Sequence, residues 1–140
     1  MRCGLEVLDS AVRTVAVHDG ARPCVSSDTV SEVIRLAKRT GPVAIGRKMI
    51  DTVKLCEKPP AVSKTVDRAK LWSVQTPQAF PAATLKKAYA ALEGKKTTVT
   101  DDAQAVELIG ESVKIYESNK PNIKITTVED LLLASAIVIK

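Results

Sequence analysis

The sequence is poor in aromatic residues. Phe, Trp and Tyr make up only 3% of its 140 residues, so any core has to be aliphatic. Its three cysteines, Cys3, Cys24 and Cys56, form an odd set with no C-x-x-C pair. That spacing argues against a disulfide scaffold and a cysteine zinc site, and reduced thiols are the plain reading. His18 is the single histidine, so a histidine-based metal centre lacks its second ligand. No apolar run reaches membrane-spanning length, and the first residues do not read as a signal peptide. Repeats and low-complexity tracts are absent from the sequence. The net charge of +5 is scattered along the chain, with no arginine-rich run and no basic stretch interleaved with aromatics. That scatter argues against a dedicated nucleic-acid binder and leaves small anionic partners open.

What is present suits one α/β domain over residues 1–140, with 45% hydrophobic and 26% charged residues. Residues 5–8 read as the end of a helix and 14–17 as a buried strand. Ser27 is placed to cap a helix on which Val30, Val33, Ile34 and Ala37 share a face, and Gly41 ends it. Residues 42–46 read as a short buried strand. Across 47–68, two extended runs, 49–55 and 61–66, flank Glu57-Lys58-Pro59-Pro60, which predicts a protruding hairpin arm. A strand over 71–74 ends in Gln75-Thr76-Pro77-Gln78. Pro81 opens a helix facing inward through Leu85, Ala88, Tyr89 and Leu92. Thr100 reads as the cap of a short helix, with Asp101 and Asp102 at its positive end. Strands follow over 112–116 and 122–125, and Thr127 with Asp130 starts the last helix. The alternation predicts a layered fold with a mostly parallel sheet.

In open α/β sheets, ligands bind beyond the carboxyl ends of strands. Val-His-Asp-Gly-Ala-Arg-Pro, from Val17 to Pro23, begins at such an end. Asp19 there suits a sugar hydroxyl or a magnesium ion, and Arg22 suits a phosphate. The bland alternative is a turn in which Asp19 accepts backbone N–H bonds. His18 reads as a hydrogen-bonded structural residue and Cys24 as packing. The polar groups of 74–78, the Thr98–Asp102 stretch and the lysines at 120 and 124 are each weak signals alone.

Their order is not weak. VHDGARP, DTVK, TVDR, LWSVQTPQAF, TDDAQAVE and NIKITTVEDL follow one another along nearly the whole chain. The series resembles the 2-C-methyl-D-erythritol 4-phosphate cytidylyltransferase family. Gly20 stands where the family usually has alanine, and Asp102 where it usually has glutamate. The resemblance implies a Rossmann-like nucleotidyltransferase fold and a reaction of the non-mevalonate isoprenoid pathway. In that reaction the phosphate of methylerythritol phosphate attacks the α-phosphorus of CTP, and pyrophosphate leaves. Such transfers depend on positioning and charge stabilisation.

The resemblance also implies roles for single residues. Arg68 and Lys124 would position the attacking phosphate. Thr52 and Thr100 would hydrogen-bond the methylerythritol phosphate. Asp19 would contact substrate, and Asp19 with Gly20 would line the CTP site, with Arg22 supporting the loop. No metal ligand is assigned on the chain; Mg2+ is expected to be held mainly by the CTP phosphates. The arm over 47–68 is expected to exchange between two subunits of a homodimer, so that Thr52 and Arg68 serve the partner's site. Neither a nucleic-acid nor a membrane partner is implied. The bacterial cytoplasm is the expected location, with plastids as the alternative. The family's glycine-rich P-A-A-G-x-G-x-R-M stretch is not in these residues, so the chain is expected to be the C-terminal portion of the enzyme, truncated at its N-terminus and impaired by itself. Two rival readings are a pentitol-phosphate enzyme, such as a ribitol 5-phosphate cytidylyltransferase, and a non-catalytic dimerisation module.

Overall fold

A computed structural model describes residues 1–138 of the chain. Helix α1 (Arg2–Glu6) leads to strand β1 (Thr14–Val17), helix α2 (Ser27–Thr40) and strand β2 (Val43–Lys48). The arm carries β3 (Val53–Leu55) and β4 (Lys64–Val66). Then come the long strand β5 (Trp72–Pro81), α3 (Ala82–Ala91), α4 (Asp102–Glu107), β6 (Lys114–Glu117) and α5 (Val128–Val138).

The main sheet has the order β1-β5-β2-β6, and β3 pairs with β4 in a separate antiparallel hairpin. The α/β fold and the projecting arm are therefore as expected. Three of the four main strands share one direction, yet only the β2–β6 ladder is parallel. The reason is the arm. It turns the chain back after β2, so β5 returns antiparallel to it and slots between β1 and β2. The sheet is mixed rather than mostly parallel.

Alternate residues of β5 face opposite layers, as a pleated strand requires. Phe80 packs into one core with Leu85, Ala88 and Val106, under α3 and α4. Ala79 packs into the other with Val33, Ala37, Val43 and Ile45, under α2. Phe80 is the single phenylalanine of the chain and is fully buried, so the aliphatic cores expected from the composition have one aromatic at their centre.

Local signals mostly placed the elements within a residue or two, with informative exceptions. Ser26, not Ser27, caps α2, its Oγ accepting the Thr29 N–H at 3.2 Å. Gly41 ends that helix at φ +88°, a left-handed geometry that favours glycine. Asp101, not Thr100, caps α4; its Oδ1 accepts the Gln104 N–H at 2.8 Å, whereas Thr100 lies one residue outside. Residues 122–125 form no strand. That segment is tied instead by side chains and by a single backbone bond, Ile125 N–H to the Ala21 carbonyl at 2.8 Å. Cys24 does pack: its Sγ lies 4.0 Å from the Ala134 carbonyl of α5.

Emptying the Phe80 position removes the centre of one core. Phe80→Ala is expected to cost about 3–5 kcal/mol in urea unfolding. Val62→Ser, in the exposed arm, is expected to stay within about 0.5 kcal/mol of the parent. A Phe80→Ala cost no larger than the arm variant's would refute this account of the core.

Candidate functional site

Strand β5 does not run evenly beside β2. Ala44 pairs with Gln78 but Ile45 pairs with Gln75, so Thr76 and Pro77 have no partner on β2. Proline has no N–H to give to a ladder, and bulges re-aim side chains. Here the bulge turns Thr76 toward the loop that leaves β1. The Thr76 hydroxyl oxygen accepts the Asp19 N–H at 2.9 Å and lies 3.1 Å from His18 Nδ1. His18 Nε2 lies 3.1 Å from the Arg22 carbonyl. A carbonyl only accepts, so Nε2 carries the proton in this bond and Nδ1 accepts from Thr76. His18 is thus the structural clamp that its isolation in the sequence suggested.

The loop residue Asp19 gathers two cations. Its Oδ2 lies 3.2 Å from Arg22 Nε and 3.2 Å from Lys124 Nζ. Partial burial works against the carboxylate charge. The hydrogen bonds and charges of Lys124 and Arg22 outweigh it and hold the Asp19 carboxyl below its usual range. Arg22 Nη1 also donates to the Asn122 carbonyl at 2.9 Å, linking residues a hundred positions apart. Arg22 is therefore a brace of the loop, as expected.

Across from Asp19 stands the start of α4. Gln78, 2% exposed, donates from Nε2 to Asp101 Oδ2 at 2.8 Å and accepts the Ala103 N–H at 2.9 Å. Those bonds fix α4 against β5. Thr100 N–H and its hydroxyl both donate to Gln104 Oε1, at 2.7 and 3.1 Å. Tyr89 donates to Asp102 Oδ1 at 2.5 Å. Burial, helped by that bond, pushes the Tyr89 hydroxyl well above its usual range. Burial also raises the Asp102 carboxyl, against the opposing effect of the Tyr89 bond.

These groups line one open depression of about 390 Å³, whose walls include Asp19, Arg22, Thr76, Gln78, Thr100 and Lys124. One wall is negative at Asp101 and Asp102; the other presents Arg22 and Lys124. Such a site can bracket a phosphate with cations while offering carboxylates and hydroxyls to a polyol. Of the residues singled out from sequence, Asp19, Thr100 and Lys124 meet here. Gly20 is exposed beside Asp19 and is not in the wall. A Cβ added at Gly20 meets nothing within 4 Å, so alanine would fit there. Thr52 and Arg68 do not reach the depression. Both are exposed at the base of the arm, where the Arg68 guanidinium donates to the Ile50 carbonyl. Sequence reasoning gave Gln78 and Asn122 no role, although both are buried and hydrogen-bonded at the site. Only their place inside otherwise apolar or charged motifs hinted at them.

Among the described residues, no group of three or more His, Cys, Asp or Glu side chains is arranged to hold a metal ion. Magnesium bound through substrate phosphates and water asks less of the chain.

The two carboxyls give opposite pH signatures. Asp19 is lowered, so its contribution to stability is present above the ordinary carboxylate value and is lost as pH falls through its lowered value. Asp102 is raised, so the folded state holds its proton more tightly than the unfolded state. Its effect reduces stability as pH rises through the window just above the ordinary value. Asp102→Asn keeps the acceptor for Tyr89 and removes the charge. Urea midpoints measured from about pH 4 to 7 are expected to fall less with rising pH in this variant than in the parent. Identical slopes would overturn the assignment.

The chain is similar to known proteins in sequence and in fold. The family model described as IspD, 2-C-methyl-D-erythritol 4-phosphate cytidylyltransferase, matches residues 1–140. The chain is 40% identical over 134 residues to the curated 2-C-methyl-D-erythritol 4-phosphate cytidylyltransferase of Alkaliphilus metalliredigens, covering 96% of this chain and 56% of that protein. It is 42% identical over 135 residues to the one of Pelotomaculum thermopropionicum, covering 96% and 57%. Thus the chain spans little more than half the length of these curated relatives. The crystal structure of the Thermus thermophilus 2-C-methyl-D-erythritol 4-phosphate cytidylyltransferase superposes with a TM-score of 0.87 at 36% identity, over 97% of this chain and 66% of that one. The 4-diphosphocytidyl-2C-methyl-D-erythritol synthase of Anaerococcus prevotii gives 0.89 at 33%, over 99% and 64%. With the family model running from the first residue to the last, the chain belongs to the 2-C-methyl-D-erythritol 4-phosphate cytidylyltransferase family.

Proposed function

We propose that this chain provides the acceptor side of a CTP-dependent cytidylyltransferase, which joins CTP and 2-C-methyl-D-erythritol 4-phosphate into CDP-methylerythritol with release of pyrophosphate. The observation that carries the reading is the meeting of Asp19, Arg22, Thr100 and Lys124 in one depression, drawn from three separate family motifs. Lys124 meets the phosphate of the acceptor and offsets its charge as it approaches the α-phosphorus, where two anions would otherwise repel. Thr100 and Asp19 hold the polyol hydroxyls, and Asp19 with Gly20 borders the cytidine nucleotide. Magnesium arrives with the triphosphate.

Arg68 and Thr52 complete the acceptor site from a second subunit. Two features support that reading. Both residues lie at the base of an arm that projects from the sheet, and both are exposed. The arm also leaves Ile50 and Val62 open to solvent, at 76% and 56% exposure, as a surface a second copy would cover. The homodimer thus pairs each depression with the partner's arm. The named relatives are bacterial, which supports a bacterial cytoplasmic setting. Among the described residues no helix is long and apolar enough to cross a membrane.

The test is CDP-methylerythritol formation followed by mass spectrometry. These 140 residues contain no glycine-rich stretch to cradle a triphosphate, so by themselves they are expected to turn over little. Joined to a segment supplying that stretch, they are expected to act on methylerythritol phosphate and far less on ribitol 5-phosphate. The reverse preference would refute the reading. In the active form, Lys124→Met is expected to lower kcat/KM about 100- to 1,000-fold.

Shared sites make a further prediction. Lys124→Met and Arg68→Ala proteins, each inactive, are expected to regain activity when unfolded and refolded together, because a mixed dimer holds one site with both cations. Continued inactivity of the mixture, with dimers present, would place Arg68 and Lys124 in the same subunit's site.

A further inference from the structure

Lys124 sits in residues 121–126, which have no regular secondary structure. A lysine on an untethered loop would lose much of its own and the loop's freedom on meeting an anion. The segment is not untethered. Asn122, only 5% exposed, donates from Nδ2 to Gln75 Oε1 at 3.0 Å and to the Thr76 carbonyl at 2.8 Å. Its own carbonyl accepts Arg22 Nη1 at 2.9 Å. All of these partners belong to the bulged part of β5 or to the loop after β1.

The amide oxygen of Asn122 is different. Oδ1 is buried and has no hydrogen-bond partner among the described residues. Leaving a buried acceptor unpaired is unfavourable, and an aliphatic side chain of similar size would avoid it. An amide flip would not pair the oxygen: it would turn Oδ1 toward two acceptors, Gln75 Oε1 and the Thr76 carbonyl, and lose both Nδ2 bonds. What Asn122 contributes is therefore its two donors, and both are directed at the residues that frame Lys124. Asn122 itself is not in the wall of the depression.

We propose that Asn122 is a positioning residue that sets the reach of Lys124. By pinning residues 121–126 to the bulge at Thr76, it holds the Lys124 ammonium against Asp19 Oδ2, at 3.2 Å, ready for an incoming phosphate. The identity of that phosphate rests on the cytidylyl-transfer reading; the pinning does not.

The experiment is 13C NMR of the reductively dimethylated 140-residue chain, with the Lys124 signal assigned through Lys124→Arg and inorganic phosphate as the probe. In the parent, the Lys124 signal is expected to stand apart from those of the freely exposed lysines and to move with phosphate. In Asn122→Ala it is expected to fall among the exposed lysines, and the phosphate Kd read from it to rise about 10-fold. Gln75→Met, which removes one of the two acceptors, is expected to give a smaller displacement and decides the matter if Asn122→Ala does not fold. Val33→Ala, in the buried core beneath α2, controls for general loss of stability and is expected to leave the signal in place. An unmoved Lys124 signal in a folded Asn122→Ala protein, or an equal displacement in Val33→Ala, would overturn the proposal. In a catalytically active form, Asn122→Ala is expected to raise KM for methylerythritol phosphate, up to about 100-fold, with KM for CTP unchanged. A moved Lys124 signal in a protein that ignores methylerythritol phosphate would sink the substrate reading and leave the pinning intact.

Discussion

The antiparallel return of β5 between β1 and β2 is the constraint on which the molecule depends. It brings the sequence 72–81 into the middle of the sheet, where Phe80 and Ala79 enter the two cores on opposite faces. The same strand carries the bulge at Thr76 and Pro77. Because Gln78 lies just past the bulge and is locked to Asp101 and Ala103, the strand also fixes where α4 begins. Core and site thus share one ten-residue strand, with Gln78 of the site next to Ala79 of the core. A shift of β5 by one residue would exchange its faces and take both apart.

Around the bulge, charge is organised by a single carboxylate. Asp19 holds Arg22 and Lys124 together although they come from opposite ends of the chain. Two cations at close quarters repel, and the carboxylate between them relieves that repulsion. When an anion enters, it finds cations already gathered, so less reorganisation accompanies binding. The lowered Asp19 carboxyl is the other side of the same balance: the charges that stabilise it are those a phosphate would use.

The motifs were legible because each is a contiguous run of unlike residues at an element boundary. Val15 and Val17 mark β1, and the polar run after them marks the loop; that much needs no partner. The arm was legible for a similar reason, since Pro59-Pro60 separates two extended stretches and the structure builds β3 and β4 on either side. The length of β5 was not legible. Pro77 inside it reads as a break, and only pairing with β1 and β2 turns that break into a bulge. The run around Asn122 failed the other way. Ile123 and Ile125 resemble a strand by alternation, but among the described residues no neighbouring strand pairs with them.

Residue types and their order along the chain therefore decide the family, the alternation of layers and the charges available to a site. Those properties reside in short runs, where propensity and capping act over a few residues. Folding decides the rest: that Asp19 faces Lys124, that Gln78 and Asn122 are buried as hydrogen-bond hubs rather than solvated, and that Thr52 and Arg68 stand away from the depression in their own chain. Such facts rest on contacts between residues tens to a hundred positions apart, as with Arg22 and Asn122. Local sequence holds no record of those pairings, because they form only when the sheet brings its strands to register.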